Sequence, residues 1–304
     1  MLATLVIAFN RPHLLERLIP ILAKHRPSPL FVAFDGPRPD VPSDRERIER
    51  GVRSVQQGVT WTDKLKLRTQ PKNLGVRRNV SSAISWAIEQ ADPLVILEDD
   101  CLPNGSFYPF CAELLDRYRD DARMGVVSGT SFCPSQLQPR ESYYLSNLVN
   151  CWGWATWRRA WQHYDDAMSS WPAFATSGEL DRLFTTPSAR RYWRRRLDRV
   201  KSGRIQSWAY RWELSCWASK LWTIQPARNL VSNVGFGADA ANLAWPNDPL
   251  GRRPTLELPF PLVHPSRLET SKSLDDWVQA HVNESPLHHK LIRAFYRIRD
   301  RAGV

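Results

Sequence analysis

The sequence contains no apolar run approaching the ~18 residues that a membrane-spanning helix needs, so a soluble protein is expected. Gly-x-x-x-x-Gly-Lys-Ser/Thr occurs nowhere, which removes the phosphate-loop ATPases. After the first apolar stretch there is no Gly-x-Gly-x-x-Gly; Phe9-Asn10-Arg11-Pro12 stands there instead, and this removes the dinucleotide-binding folds. The cysteines (Cys101, Cys111, Cys133, Cys151 and Cys216) are odd in number and form no Cys-x-x-Cys. That spacing disfavours both a disulfide framework and a structural zinc site, so reduced, mostly packed thiols are expected. Met1 to Phe9 carries no basic leader and no small-residue cleavage site; it reads as the first strand of the domain, in a cytoplasmic protein. No internal repeat or low-complexity segment appears in the 304 residues, a length that holds one large domain or two modest ones.

What is abundant is positive charge, tryptophan and alternating structure. Lys and Arg number 42 against 31 Asp and Glu, a net +11, which attracts polyanions: nucleotide diphosphates, anionic lipid surfaces or nucleic acid. Leu2 to Phe9 and Leu30 to Phe34 read as strands, and Lys64 to Thr69 as a third. Between them, Leu14, Leu15, Leu18, Ile21 and Leu22 mark one face of a helix, and a second helix spans about Asp44 to Gln57. Val76, Val80, Ala83, Ile84, Ala87 and Ile88 mark a third helix. Strands alternating with helices at this spacing imply a mostly parallel sheet, whose ligands gather at the carboxyl ends of its strands. Asn10-Arg11-Pro12, Asp35-Gly36, Asn73-Leu74-Gly75 and Glu98-Asp99-Asp100 all fall at such ends, although each alone is also ordinary turn chemistry.

The triplet is the most informative of these. Leu94-Val95-Ile96-Leu97 reads as a short buried strand, and three carboxylates follow where it leaves the sheet. Packed together they repel, and a divalent cation with oxygen ligands is the physical reason to tolerate them. An acidic turn before the helix starting near Ser106 would need only one.

The second half is rich in tryptophan. Met124 to Thr130, Tyr143 to Ser146 and Leu221 to Gln225 read as strands. Trp154, Trp157 and Trp161 fall at helical spacing and predict a bulky amphipathic core helix, while Trp152, beside Gly153, is a candidate for stacking on a sugar or base. A helix from Thr186-Pro187 to Lys201 interleaves arginines with aromatics, a pattern open to nucleic acid, anionic lipid or plain solvation. Glu213 lies within an apolar helical segment, Ser207 to Trp217. It is either a general base with a raised pKa or the partner of a nearby arginine such as Arg211. Asn229 to Asn242 suggests a loop that closes over a ligand. His264 offers a neutral imidazole to a metal or serves structure. Ser285-Pro286 opens a basic amphipathic helix, read as a membrane-surface anchor or a partner contact.

Over roughly residues 2 to 265 these residues resemble the nucleotide-sugar glycosyltransferases of the GT-A fold, a bacterial family-2-like group in particular. They are also similar to the N-acetylglucosaminyltransferase that initiates complex N-glycans. The resemblance is carried by Phe9-Asn10-Arg11-Pro12, Asp35-Gly36, Asn73-Leu74-Gly75 with Arg78, Glu98-Asp99-Asp100, Trp152-Gly153-Trp154 and Asn233-Val234-Gly235-Phe236-Gly237. It implies an α/β, GT-A-like (Rossmann-like), mostly parallel sheet with helices on both faces, in one large domain with a C-terminal helical tail. Residues 1–123 would form the nucleotide-sugar-binding part, 124–265 the acceptor-binding part and 266–304 the basic tail.

The implied activity is Mn2+- or Mg2+-dependent transfer of a hexosyl or N-acetylhexosaminyl group from a nucleoside diphosphate sugar to a carbohydrate or lipid-linked acceptor, in bacterial surface glycan synthesis. Asp35 would bond the base or ribose, and Asn10, Arg11, Asn73, Gly75 and Arg78 would line the nucleotide pocket. Asp99 would face the ribose or sugar, Asp100 would ligate the metal with His264 as a further candidate, and Glu213 would be the catalytic base. Relatives place an aspartate at that last position and often a histidine near Asn242, so the chain departs from them twice. The departing diphosphate needs a cation to neutralise it and the acceptor hydroxyl needs a base, which gives direct displacement with inversion. An anionic membrane surface on the cytoplasmic side is the expected further partner, and nucleic acid is not expected. The alternatives are a sugar-phosphate nucleotidyltransferase, disfavoured by the missing glycine-rich phosphate loop, and a noncatalytic carbohydrate-binding protein.

Overall fold

A computed structural model describes residues 1–236 and 253–284 of the chain. Its first half alternates strictly: β1 (Ala3–Ala8), α1 (Pro12–His25), β2 (Leu30–Phe34), α2 (Ser43–Gly58), β3 (Leu65–Thr69), α3 (Gly75–Ile88) and β4 (Leu94–Glu98). β5 (Cys101–Pro103), α4 (Phe107–Arg117), β6 (Met124–Ser128), β7 (Tyr143–Ser146), β8 (Trp154–Thr156) and α5 (Arg158–Trp161) follow. The remainder is α6 (Trp171–Thr176), α7 (Glu179–Leu183), α8 (Pro187–Lys201), α9 (Trp208–Ala218), β9 (Trp222–Pro226), β10 (Val231–Asn233) and α10 (Lys272–Val278), which runs into a π-helical turn, Gln279–Asn283.

Eight strands form one sheet in the order β3-β2-β1-β4-β8-β6-β9-β7. β1, β2, β3 and β4 are mutually parallel, as are β6 and β9; β8 runs antiparallel to both its neighbours and β7 antiparallel to β9. The fold is therefore α/β with a mostly parallel sheet. Apart from Thr4 and the terminal Glu98, β1, β2 and β4 are apolar because both faces are covered. Val6, Val32, Val95 and Leu97 face one layer, with α1, α2 and α4; Leu5, Ile7, Phe31, Leu94 and Ile96 face the other, with α3 and α9. Pro12 at the first turn starts α1 without losing a needed N–H, and Leu14, Leu15, Leu18 and Leu22 give it its buried stripe.

The tryptophan segment folds differently from its spacing. Trp154 belongs to strand β8, inserted between β4 and β6, and only Arg158–Trp161 is helical. Trp154 and Trp157 consequently face opposite layers. All three rings are nonetheless core: Trp154 stacks on Trp208 at 5.8 Å, and Trp161 packs on Trp212 at 5.1 Å. Each such ring contributes roughly 3 kcal/mol of transfer free energy. A third cluster, built by Trp171, Phe184, Trp193, Leu197 and Trp217 on α6 to α9, adds a helical body beside the sheet, of which the sequence indicated α8 and α9 but not α6 or α7. Among the described residues no helix is long and apolar enough to cross a membrane.

Candidate active site

Because β1, β2 and β4 are parallel, their carboxyl ends share one rim of the sheet, and this brings Arg11, Asp35 and the acidic triplet together. At the end of β2, Asp35 ties two segments into one. Its Oδ1 accepts from the backbone N–H of Gly36 and Leu74, both at 2.8 Å, and its Oδ2 from Gly75 N at 2.9 Å and Asn73 Nδ2 at 3.1 Å. Gly36 is required there, since an added Cβ would meet Lys72 backbone carbon at 2.4 Å. Burial raises the Asp35 pKa against these backbone donors. Asp35, Asn73 and Gly75 thus build the start of α3, and both carboxylate oxygens of Asp35 accept two hydrogen bonds each from this turn.

Asn10 has a comparable task. Its Nδ2 donates to Asp44 Oδ1 at 2.6 Å, and Asp44 is held bidentately by Arg38, at 2.7 and 2.9 Å. Those hydrogen bonds keep the Asp44 carboxyl down at about 2. Arg38 and Asp44 lie in a polar stretch whose pairing no local pattern announces. Arg78, in contrast, is exposed in the first turn of α3, and its guanidinium has no partner among the described residues.

The centre of the rim is Asp99, Asp100 and Arg11. The Arg11 guanidinium donates to Asp99 Oδ1 and, at 2.9 Å, to Asp100 Oδ2. Burial opposes the Arg11 charge, yet the two carboxylates hold its pKa above the ordinary value. Desolvation, with the neighbouring carboxylates, pushes Glu98 and Asp99 well up. Asp100 is covered from the far end of the chain: β10 pairs antiparallel with β5, Val234 N donates to Asp100 O at 2.9 Å, and Asn233 Nδ2 lies 3.3 Å from Asp100 Oδ1. Gly235 lies so close that an added Cβ would stand 1.9 Å from Asp100 Oδ2. Next to it, Phe236 meets Trp152 edge-on at 5.7 Å, and Trp152 meets Phe132 at 5.8 Å, an aromatic wall beside the carboxylates. Gly237 and Asn242 lie outside the described residues.

Asp99 Oδ2 is buried with no hydrogen-bond partner. An orphaned carboxylate oxygen beside Asp100 fits a hard cation. No set of three His, Cys, Asp or Glu side chains converges among the described residues, so a metal here would draw its other ligands from a bound diphosphate and water. His264 is not drawn into this cluster, contrary to the expectation that it might ligate a metal with Asp100. Its Nδ1 shares a hydrogen bond with Tyr143 Oη at 2.9 Å and its Nε2 lies 3.1 Å from Glu113, so both ring nitrogens are occupied elsewhere.

Glu213 is buried on α9 and makes no ion pair among the described residues. Arg211 turns instead to the carbonyls of Asp166, Ser207 and Val200. The Glu213 carboxylate receives one N–H, from Val149 at 3.0 Å, and burial pushes its pKa up to about 8. Cys151, one residue before Trp152, is half-buried, and desolvation together with Glu213 and Glu98 raises its thiol pKa. Glu213 is thereby tied to Val149, three residues before Trp152.

No family model matches the chain, and no curated protein matches it. Among solved structures it is similar to the mannosyltransferase PcManGT from Pyrobaculum calidifontis in complex with GDP-Man and Mn2+, at 16% identity and a TM-score of 0.35. That match covers 51% of this chain and 44% of the other, so the chain spans less than half of that enzyme's length. It is also similar to A197 from STIV, at 12% identity and a TM-score of 0.29, covering 53% of this chain and 68% of that one. Likeness this distant decides nothing about chemistry, which rests on the residues above.

Proposed function

We propose that the chain is a glycosyltransferase that moves a hexosyl or N-acetylhexosaminyl group from a nucleoside diphosphate sugar to an acceptor hydroxyl with inversion. The observation that supports this best is the rim of β1, β2 and β4, where Asp99 and Asp100 are bridged by Arg11, covered by Asn233 to Phe236 and bordered by Trp152. Asp100, with Asp99 Oδ2, would hold a divalent cation, which when bound supplies neutralising charge to the leaving diphosphate. Arg11 adds a permanent positive charge at the same place and orients both carboxylates. Arg78, exposed and unpaired among the described residues, is available to a phosphate. Trp152 and Phe236 offer apolar ring surface to the sugar and exclude water. Glu213 accepts the acceptor's proton; its apolar surroundings raise its basicity so that the proton is held once taken.

The test is diphosphate release from a panel of nucleotide sugars with Mn2+ or Mg2+, in the presence of mixed glycan acceptors. Asp100→Asn is expected to lower turnover at least ~100-fold, the usual scale for losing one charge-stabilising group. Undiminished metal-dependent turnover in Asp100→Asn would remove the assigned role of Asp100.

A further inference from the structure

A cavity of about 250 Å³ opens where the sheet meets the helical body, and nothing in the proposed reaction uses it. Its position follows from strand direction. β8 runs antiparallel to both β4 and β6, so β6 and β9 run the same way as β4. Arg123 precedes β6, Trp222 begins β9, and Asn147 follows β7, which is antiparallel to β9. All three line the cavity. It therefore lies at the amino ends of β6 and β9, on the rim opposite Asp99 and Asp100, and Arg182 and Leu183 of α7 close it from the helical body.

The apolar walls are Leu183, Trp217 and Leu221, all buried, with the half-buried Trp222; the charged lining is Arg123, Arg182 and Lys220, all exposed, and no acidic side chain lines the cavity. The polar groups of Asn147 are spent within the fold. Its Nδ2 donates to Thr270 Oγ1 at 3.0 Å and Asp275 Oδ2 at 3.1 Å, and its carbonyl accepts from Trp217 Nε1 at 2.7 Å. Arg123 lies over the Trp222 ring at 5.1 Å and is held bidentately by Asp121. Arg182, in contrast, gives only its Nε to Glu179, at 2.7 Å, and Lys220 Nζ has neither hydrogen bond nor ion pair to a described residue. The cavity thus offers ring surface inside and unspent positive charge at its mouth.

The backbone of Lys220 is a separate observation. α9 ends with Leu221 N donating to Cys216 O at 2.8 Å and Lys220 N to Trp217 O at 3.1 Å, which puts Lys220 in the left-handed region at a φ of 56°. Glycine fits that position with least strain. A lysine elsewhere in the last turn would complement the helix dipole equally well at an ordinary φ, so the dipole does not account for it. A cation needed at the mouth of the cavity does.

We infer that this cavity binds a small monocarboxylate with a flat apolar body, the rings of Trp217 and Trp222 taking the body and Lys220 with Arg182 taking the carboxylate. The site stands on the rim away from the proposed reaction and does not depend on it. The experiment is titration calorimetry of the full chain with 2-naphthoate and with its neutral counterpart, 2-naphthamide. The native chain is expected to bind the acid at least ~10-fold more tightly than the amide. K220G is expected to lose that preference while its thermal midpoint without ligand stays at or above the native one, because glycine relieves the left-handed backbone. K220R is expected to keep the preference, and K64M, which removes an exposed lysine beside β3 at the far edge of the sheet, to bind as the native chain does. No preference for the acid in the native chain, or a preference that survives in K220G, would overturn the proposal. So would an equal loss in K64M, which would mean attraction by net charge alone, or a K220G chain less stable than the native one, which would make Lys220 structural.

Discussion

Glu213 shows how far burial can shift a carboxyl group. Its carboxyl moves from an ordinary 4.5 to about 8 because desolvation penalises the charge and a single N–H, from Val149, does not offset it. A folded-state pKa above the unfolded one means that the native state holds the proton more tightly. The stabilisation from that proton is complete below 4.5 and is lost as pH rises through about 8. Glu213→Gln keeps an acceptor for Val149 and removes the titration. The variant is expected to match the native chain near pH 4.5 and to exceed it by on the order of 4–5 kcal/mol at pH 8.5, measured by urea unfolding. A difference independent of pH would mean that Glu213 is not the group held neutral. Turnover in the native chain should rise with pH up to about 8, as the base ionises. A carboxylate stranded among tryptophans could be picked out from sequence because composition around it is local information. The Arg11 bridge could not, since Asp99 and Asp100 are 88 and 89 positions away and only strand pairing brings them together.

At the scale of elements, the Asp35 turn is a joint between β2 and α3 whose loss should be felt in stability and in binding alike. Asp35→Ala leaves the backbone N–H groups of Leu74 and Gly75 without their acceptor and is expected to cost ~2–4 kcal/mol, read as a lower urea midpoint. It should also weaken nucleoside diphosphate binding by displacing Arg78, which sits one turn into α3. Unchanged stability would contradict the joint. Elements of the first half were legible because β1, β2 and β4 are almost wholly apolar runs and their helices carry clear stripes. β5, β8 and β10 were not, because three-residue strands are defined by their partners and not by any period of their own. Trp154, Trp157 and Trp161 illustrate the cost: large rings at a spacing of three and four read as one helix face, while the backbone between β4 and β6 had room only for a strand.

For the whole molecule, the parallel half of the sheet sets the site and the helical body on α6 to α9 closes a cavity at the opposite rim. The fold class and the strand-end position of the carboxylates followed from alternation of strands and helices. The assembly of the cover over Asp100 did not, because Asn233 reaches it across 133 residues, and the ring wall of Phe132, Trp152 and Phe236 comes from three separate segments. His264 failed as a metal candidate for the same reason: its partners, Tyr143 and Glu113, are set by tertiary structure at a different place.

The central claim is that Asp99 and Asp100 at the end of β4 bind a nucleoside diphosphate together with a divalent cation. Its most direct test is the thermal midpoint of the native chain and of Asp100→Asn with nucleoside diphosphates, each with and without Mn2+. The native chain is expected to gain several degrees with one or more of them, more with Mn2+ than without, and Asp100→Asn to lose the Mn2+-dependent part. No rise with any nucleoside diphosphate, or an equal Mn2+-dependent rise in Asp100→Asn, would contradict it.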